Sequence, residues 1–223
     1  MARAAVVAAA VPRAGTSGWT QTVLDTAVAE AGIDAPLAAR AFPRGPADIV
    51  DAFHAEVDRA MEEAFATRPT AALGFGARIA LIVRLRLDAM SAHRAAARKA
   101  VAFHALPPHA ADGARCLART ADRMWRAVGD TSTDFSFYTR RATLCWVLAT
   151  TTLAWLDNPC GREAEAFIAR RLAGVRRLGA VRARAEAAAG GVRRALASLR
   201  RGFPAGRPGG RGTRPAPAPP PGR

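Results

Sequence analysis

Apolar residues recur along most of this chain at spacings of three and four, and nowhere do they alternate for the length of a strand. A period near 3.6 puts such residues on one stripe of an α-helix, whereas a half-buried strand needs a period of two. The chain therefore reads as all-α. A helix over Trp19–Ala31 has Val23, Leu24, Ala27 and Val28 inward and stops at Gly32. Asp34 caps a short helix, Ala35–Ala41, with Pro36 in its first turn. After the turn Phe42-Pro43-Arg44-Gly45, Pro46–Ala66 is long, with Ile49, Val50, Phe53, Val57, Met61 and Phe65 on one face. Gly74–Met90 follows, then a helix capped by Ser91 and running to Ala105, then Ala110–Val128. The last elements expected are a helix from about Ser132 to Leu156, a basic one over Arg162–Ala189, and Val192–Phe203 beyond Gly190-Gly191. That makes about nine helices in 223 residues, half of them hydrophobic, enough for one domain with a real core.

The ends differ from the body. Residues 1–17 are rich in Ala and Arg, hold no acid, and are expected to be disordered; residues 18–189 form the body; 190–203 are an amphipathic helix. From residue 204 the chain is Gly, Pro, Arg and Ala, a composition that cannot bury a core. Charge follows the same division. The net charge of +15 is concentrated after residue 161, where 15 arginines meet 3 acids, net +12. The first 161 residues hold 18 basic and 15 acidic side chains, net +3.

Several function classes are disfavoured. His54, His93, His104 and His109 are scattered, with no HExxH pair to set two ligands on one helical face. There is no GxSxG and no Walker loop, and Gly74-Phe75-Gly76 reads as a helix start. No catalytic residue, metal ligand or cofactor is expected. Three cysteines, Cys116, Cys145 and Cys160, show no CxxC spacing and fit a reduced, cytoplasmic compartment. The apolar run Ala142–Leu156 is 15 residues long, a length suited to a buried helix rather than a membrane span. Between Trp19 and Thr67 there are three arginines and nine acids, net −6, a charge that repels a phosphate backbone, so no nucleic-acid partner is expected.

The most distinctive stretch is Gly129–Arg141, GDTSTDFSFYTRR, leading directly into Ala142–Leu156. Gly129 suits the left-handed position that closes the preceding helix, while Thr131 and Asp134 suit a helix start. Helix capping does not require Phe137-Tyr138 beside Arg140-Arg141, an aromatic and cationic mixture of the kind enriched at protein interfaces. The segment resembles the signature of the CoQ-nine family of ubiquinone-biosynthesis accessory proteins, and the resemblance extends more weakly over about Gly18–Phe203. This chain has Phe137 where eukaryotic members carry Trp. The resemblance implies a TetR-repressor-like bundle with a degenerate helix-turn-helix start, a homodimer, and a non-enzymatic lipid-binding role. It also implies demethoxyubiquinone hydroxylase as partner, met through Asp130, Asp134, Phe137, Tyr138, Arg140 and Arg141.

Two further sites can be placed. Phe75, Ile79, Ile82, Leu117, Met124, Trp125, Leu144, Val147 and Leu148 lie on helices that must face one another, with small Thr151 among them. On the residues alone a filled core is the simpler reading; the resemblance favours a pocket for an isoprenoid quinone intermediate. The other site is Val192–Phe203. Val192, Leu196, Leu199 and Phe203 follow one stripe, and Arg193, Arg194, Arg200 and Arg201 repeat along the polar side. An apolar stripe beside a cationic face describes a helix lying in an anionic membrane interface. The expected location is peripheral, on the cytoplasmic side of a bacterial inner membrane or, alternatively, the matrix side of the mitochondrial inner membrane. The alternative function is a TetR-like transcriptional regulator with a lipid effector.

Overall fold

The structure, a computed structural model, describes residues 2–129, 135–157 and 170. Those residues contain eight α-helices and no strand: α1 Ala2–Ser17, α2 Gln21–Glu30, α3 Ala35–Ala41, α4 Pro46–Ala66, α5 Phe75–Ser91, α6 Arg94–Ala105, α7 Ala110–Ala127 and α8 Phe135–Asp157. A 3-10 turn at Pro107–His109 joins α6 to α7. The all-α expectation holds. The helices expected over 162–189 and 192–203, and the tail from 204, lie outside the described residues.

The start of the chain corrects the expectation of disorder. Residues 2–17 form α1, with Val6, Val7, Ala10, Val11 and Ala14 buried. Their spacing makes a stripe that packs on α2, α4 and α6. Ala is the strongest helix former, so an Ala-rich segment needs only a surface to bury itself against. The helical bundle therefore begins one helix earlier than the sequence suggested, and α2 and α3 follow α1 as short helices.

Local caps explain several boundaries. Thr20 Oγ1 accepts from Val23 N at 3.3 Å, and Asp34 Oδ1 accepts from Leu37 N at 3.1 Å. Gly129 sits at φ 88°, the left-handed closure expected of it. Ser91 does not cap the sixth helix. It is the last residue of α5, its hydroxyl donates to Asp88 O at 2.6 Å, and α6 begins after His93.

One apolar core runs through the bundle. Ile49, Phe53 and Met61 of α4, Ile82 and Met90 of α5, Met124 of α7, and Val147 and Leu148 of α8 are among its buried residues. Trp19 spans the α1–α2 connection and donates from Nε1 to Ala96 O at 3.1 Å, fixing this end against α6. No described helix is long and apolar enough to cross a membrane.

Candidate functional site

Helices α5, α7 and α8 pack pairwise against one another. Their inward residues include most of the expected lipid-binding set. Ile79, Ile82, Met124, Trp125, Leu144, Val147 and Leu148 are buried in the common core, and Leu117 is half-buried against it. Phe75 stands apart, 42 % exposed at the first residue of α5. Its ring stacks on Trp125 with centroids 5.1 Å apart and planes 21° from parallel.

Polar atoms sit inside this apolar region. Thr151 and Thr152 are buried. Thr150 returns its hydroxyl to its own helix, donating to Trp146 O at 2.9 Å. Thr151 Oγ1 and Trp125 Nε1 are shielded from solvent and have no hydrogen-bond partner, as does His104 Nε2 on α6.

The expected partner surface is described in part. Asp130 and Asp134 lie outside the described residues, and of Phe137 and Tyr138 the structure describes only their place in the first turns of α8. Arg140 is exposed. Arg141 is largely covered and donates from Nε to Asp122 Oδ1 at 2.9 Å, so it ties α8 to α7. Asp122 also pairs with Arg126. The membrane-binding set, Val192, Arg193, Arg194, Leu196, Leu199, Arg200, Arg201 and Phe203, lies outside the described residues.

A cluster that sequence reasoning missed lies under α4. Asp58 is fully buried, and the Arg86 guanidinium donates to its Oδ1 at 2.9 Å from Nε. Thr120 donates to Asp58 Oδ2 at 2.7 Å. Arg86 Nη2 lies 3.3 Å from His54 Nδ1, and the His54 ring stacks on His104 at 5.5 Å. The one signal available was His54 and Asp58 four residues apart on a face otherwise apolar. Burial, reinforced by Arg86, holds the His54 pKa well below its ordinary value, so this imidazole is neutral at pH 7. Burial pushes the nearby Cys116 thiol up to about 11, which leaves it protonated and a poor nucleophile. Close helix contact accompanies this cluster: a Cβ on Gly113 of α7 would come 2.8 Å from His104 Cβ. Among the described residues no group of three or more His, Cys, Asp or Glu side chains could hold a metal ion.

Two arginines of the opening region, Arg13 and Arg44, are held in ion pairs. Arg44 contacts Asp48, Asp51 and Asp112 at 2.6, 2.8 and 2.9 Å, and Arg13 pairs with Glu30. Arg40 of α3 is exposed.

Comparison with known proteins agrees with this architecture. A TetR transcriptional regulator from Nitrosomonas europaea ATCC 19718 has a similar fold, with a TM-score of 0.59 and 19 % identity, over 77 % of this chain and 95 % of that one. No curated protein matches the chain in sequence. The family model of COQ9, the CoQ-nine family of the resemblance, matches residues 110–179. On a TetR-like all-α fold, the segment that begins with α7 and contains α8 is thus similar to the COQ9 family.

Proposed function

We propose that this chain is a non-enzymatic accessory protein of ubiquinone biosynthesis that binds a polyprenyl quinone intermediate and hands it to a hydroxylase. The COQ9 match over residues 110–179 implies a role related to ubiquinone biosynthesis, and that single observation carries the reading. The match covers α7 and α8, the helices that supply Met124, Trp125, Leu144, Val147, Leu148 and Thr151. Burial among such side chains suits an isoprenoid tail, whose transfer from water is worth ~25 cal/mol per Å² of apolar area.

In this reading the basic segment 192–203 docks on an anionic membrane, the tail passes into the α5–α7–α8 bundle, and residues 130–141 meet the hydroxylase. Extraction by a protein is physically sensible because the tail is nearly insoluble and the head group otherwise stays at the bilayer boundary. The assembled form proposed is a homodimer. Trp146 and Leu153, each 50 % exposed and seven residues apart on α8, supply apolar surface of the kind a second copy would cover.

The experiment is native mass spectrometry of the full chain purified in mild detergent, with the released lipids identified. Polyprenyl quinones or their precursors bound to a dimer are the expected result. A protein that repeatedly releases only phospholipid or nothing refutes the reading. A gel shift on genomic fragments separates it from the regulator alternative: retarded fragments at physiological salt would favour the latter.

A further inference from the structure

Among the described residues, three buried side-chain polar atoms have no hydrogen-bond partner: His104 Nε2, Thr151 Oγ1 and Trp125 Nε1. They are not equivalent. A threonine hydroxyl can rotate toward a carbonyl of its own helix, as Thr150 does. An imidazole can shift its proton to the other ring nitrogen. The indole N–H has neither recourse, because it is a donor only and its hydrogen is fixed in the ring plane. Native interiors rarely keep such a donor without an acceptor, and one that persists calls for an explanation.

Its surroundings indicate what the acceptor is attached to. Trp125 is only 7 % exposed, follows the fully buried Met124, and belongs to the core shared with α5 and α8. The face of its indole is covered by the Phe75 ring, which is itself 42 % exposed. Any molecule larger than water that brings an acceptor to this nitrogen must tolerate aromatic and aliphatic contact. A planar carbonyl-bearing ring on an apolar tail meets both demands.

We propose that Trp125 Nε1 is the donor that binds a carbonyl oxygen of the quinone head group, so that the head group, and not only the tail, enters the interior beside Phe75. This rests on the reading of α5, α7 and α8 as a lipid site. It goes beyond that reading in making Trp125 the residue that distinguishes a quinone from any other isoprenoid.

The test uses the full chain and its Trp125→Phe variant, which keeps an aromatic ring and removes the N–H. Two probes are titrated by calorimetry in the same detergent: ubiquinone with two isoprene units, and geranylbenzene, which has the tail and a ring but no carbonyl. The wild type should bind the quinone more tightly than the hydrocarbon. In the variant, quinone affinity should fall about tenfold, the scale of one lost hydrogen bond to a buried donor, while geranylbenzene affinity stays unchanged. The unliganded variant loses no hydrogen bond, so any fall in its Tm reports only the packing lost with the smaller ring. Undiminished quinone binding by the variant overturns the proposal and leaves the lipid site standing. Equal weakening for both probes overturns it too, because the indole would then act through packing alone. If the wild type binds neither probe, the lipid reading fails and the proposal with it.

Discussion

Replacing Asp58 by Ala tests whether the buried cluster under α4 organises the bundle. The carboxylate is fully buried and accepts from Arg86 at 2.9 Å and from Thr120 at 2.7 Å. Arg86 is itself 3 % exposed. Removing the carboxylate strands a guanidinium in the interior, which costs about 3–5 kcal/mol in comparable pairs. Leaving the Thr120 hydroxyl without its acceptor adds roughly 1 kcal/mol. Against a total stability of about 5–15 kcal/mol this is a large fraction. For a chain of this size it lowers Tm by roughly 10 °C or more. The double variant Asp58→Leu/Arg86→Met removes both charges and should recover most of the loss, since a buried ion pair is often replaceable by apolar side chains at little net cost. Urea denaturation of Asp58→Leu, of Arg86→Met and of the double variant gives the coupling energy, expected to exceed ~2 kcal/mol. A loss below ~1 kcal/mol for Asp58→Ala, or strict additivity in the double variant, would refute the reasoning.

Further consequences are open to measurement. His54 is neutral when folded because burial depresses its pKa below the ordinary 6.5, so the unfolded chain binds the extra proton. Stability from this group is therefore complete above pH 6.5 and falls as pH drops below it, by up to ~1.4 kcal/mol per pH unit. His54→Gln should flatten the acid limb of a Tm-versus-pH curve, and an unchanged limb would assign the acid sensitivity elsewhere. Truncation after Ala189 should abolish flotation on anionic liposomes, and replacing Arg193, Arg194, Arg200 and Arg201 by Gln should leave weak, salt-insensitive binding; equal flotation of full-length and truncated chains would return 192–203 to an ordinary solvated helix. Tyr138→Lys should reduce capture of the hydroxylase with little change in Tm, whereas unfolding of that variant would place Tyr138 in the core.

How much of this was legible in advance depended on whether the cause was local. The bounds of α3 and α4 were readable because their signals sit within a turn of each end: Asp34 before α3, and Pro36 and Pro46 in first turns. The core stripe of α4 was equally plain, since Ile49, Val50, Phe53, Val57, Met61 and Phe65 repeat at helical spacing and all six are buried. The family resemblance was legible in residues 129–156, which fall within the span that the COQ9 model matches. Helix α1 was not legible, because its low-complexity composition says nothing of the surfaces on α2, α4 and α6 that bury Val6, Val7 and Val11. Nor could the sequence single out Trp125 from its neighbours: an indole is an ordinary core residue until the fold shows that nothing accepts its hydrogen. The buried ion pair is the plainest case. Asp58 and Arg86 stand 28 residues apart on separate helices, each ordinary in its own pattern. Local propensity and periodicity set the helices and their apolar faces, because those depend on neighbours along the chain. Which charge meets which, and which donor is left without an acceptor, is decided only when the helices pack and water is excluded from between them.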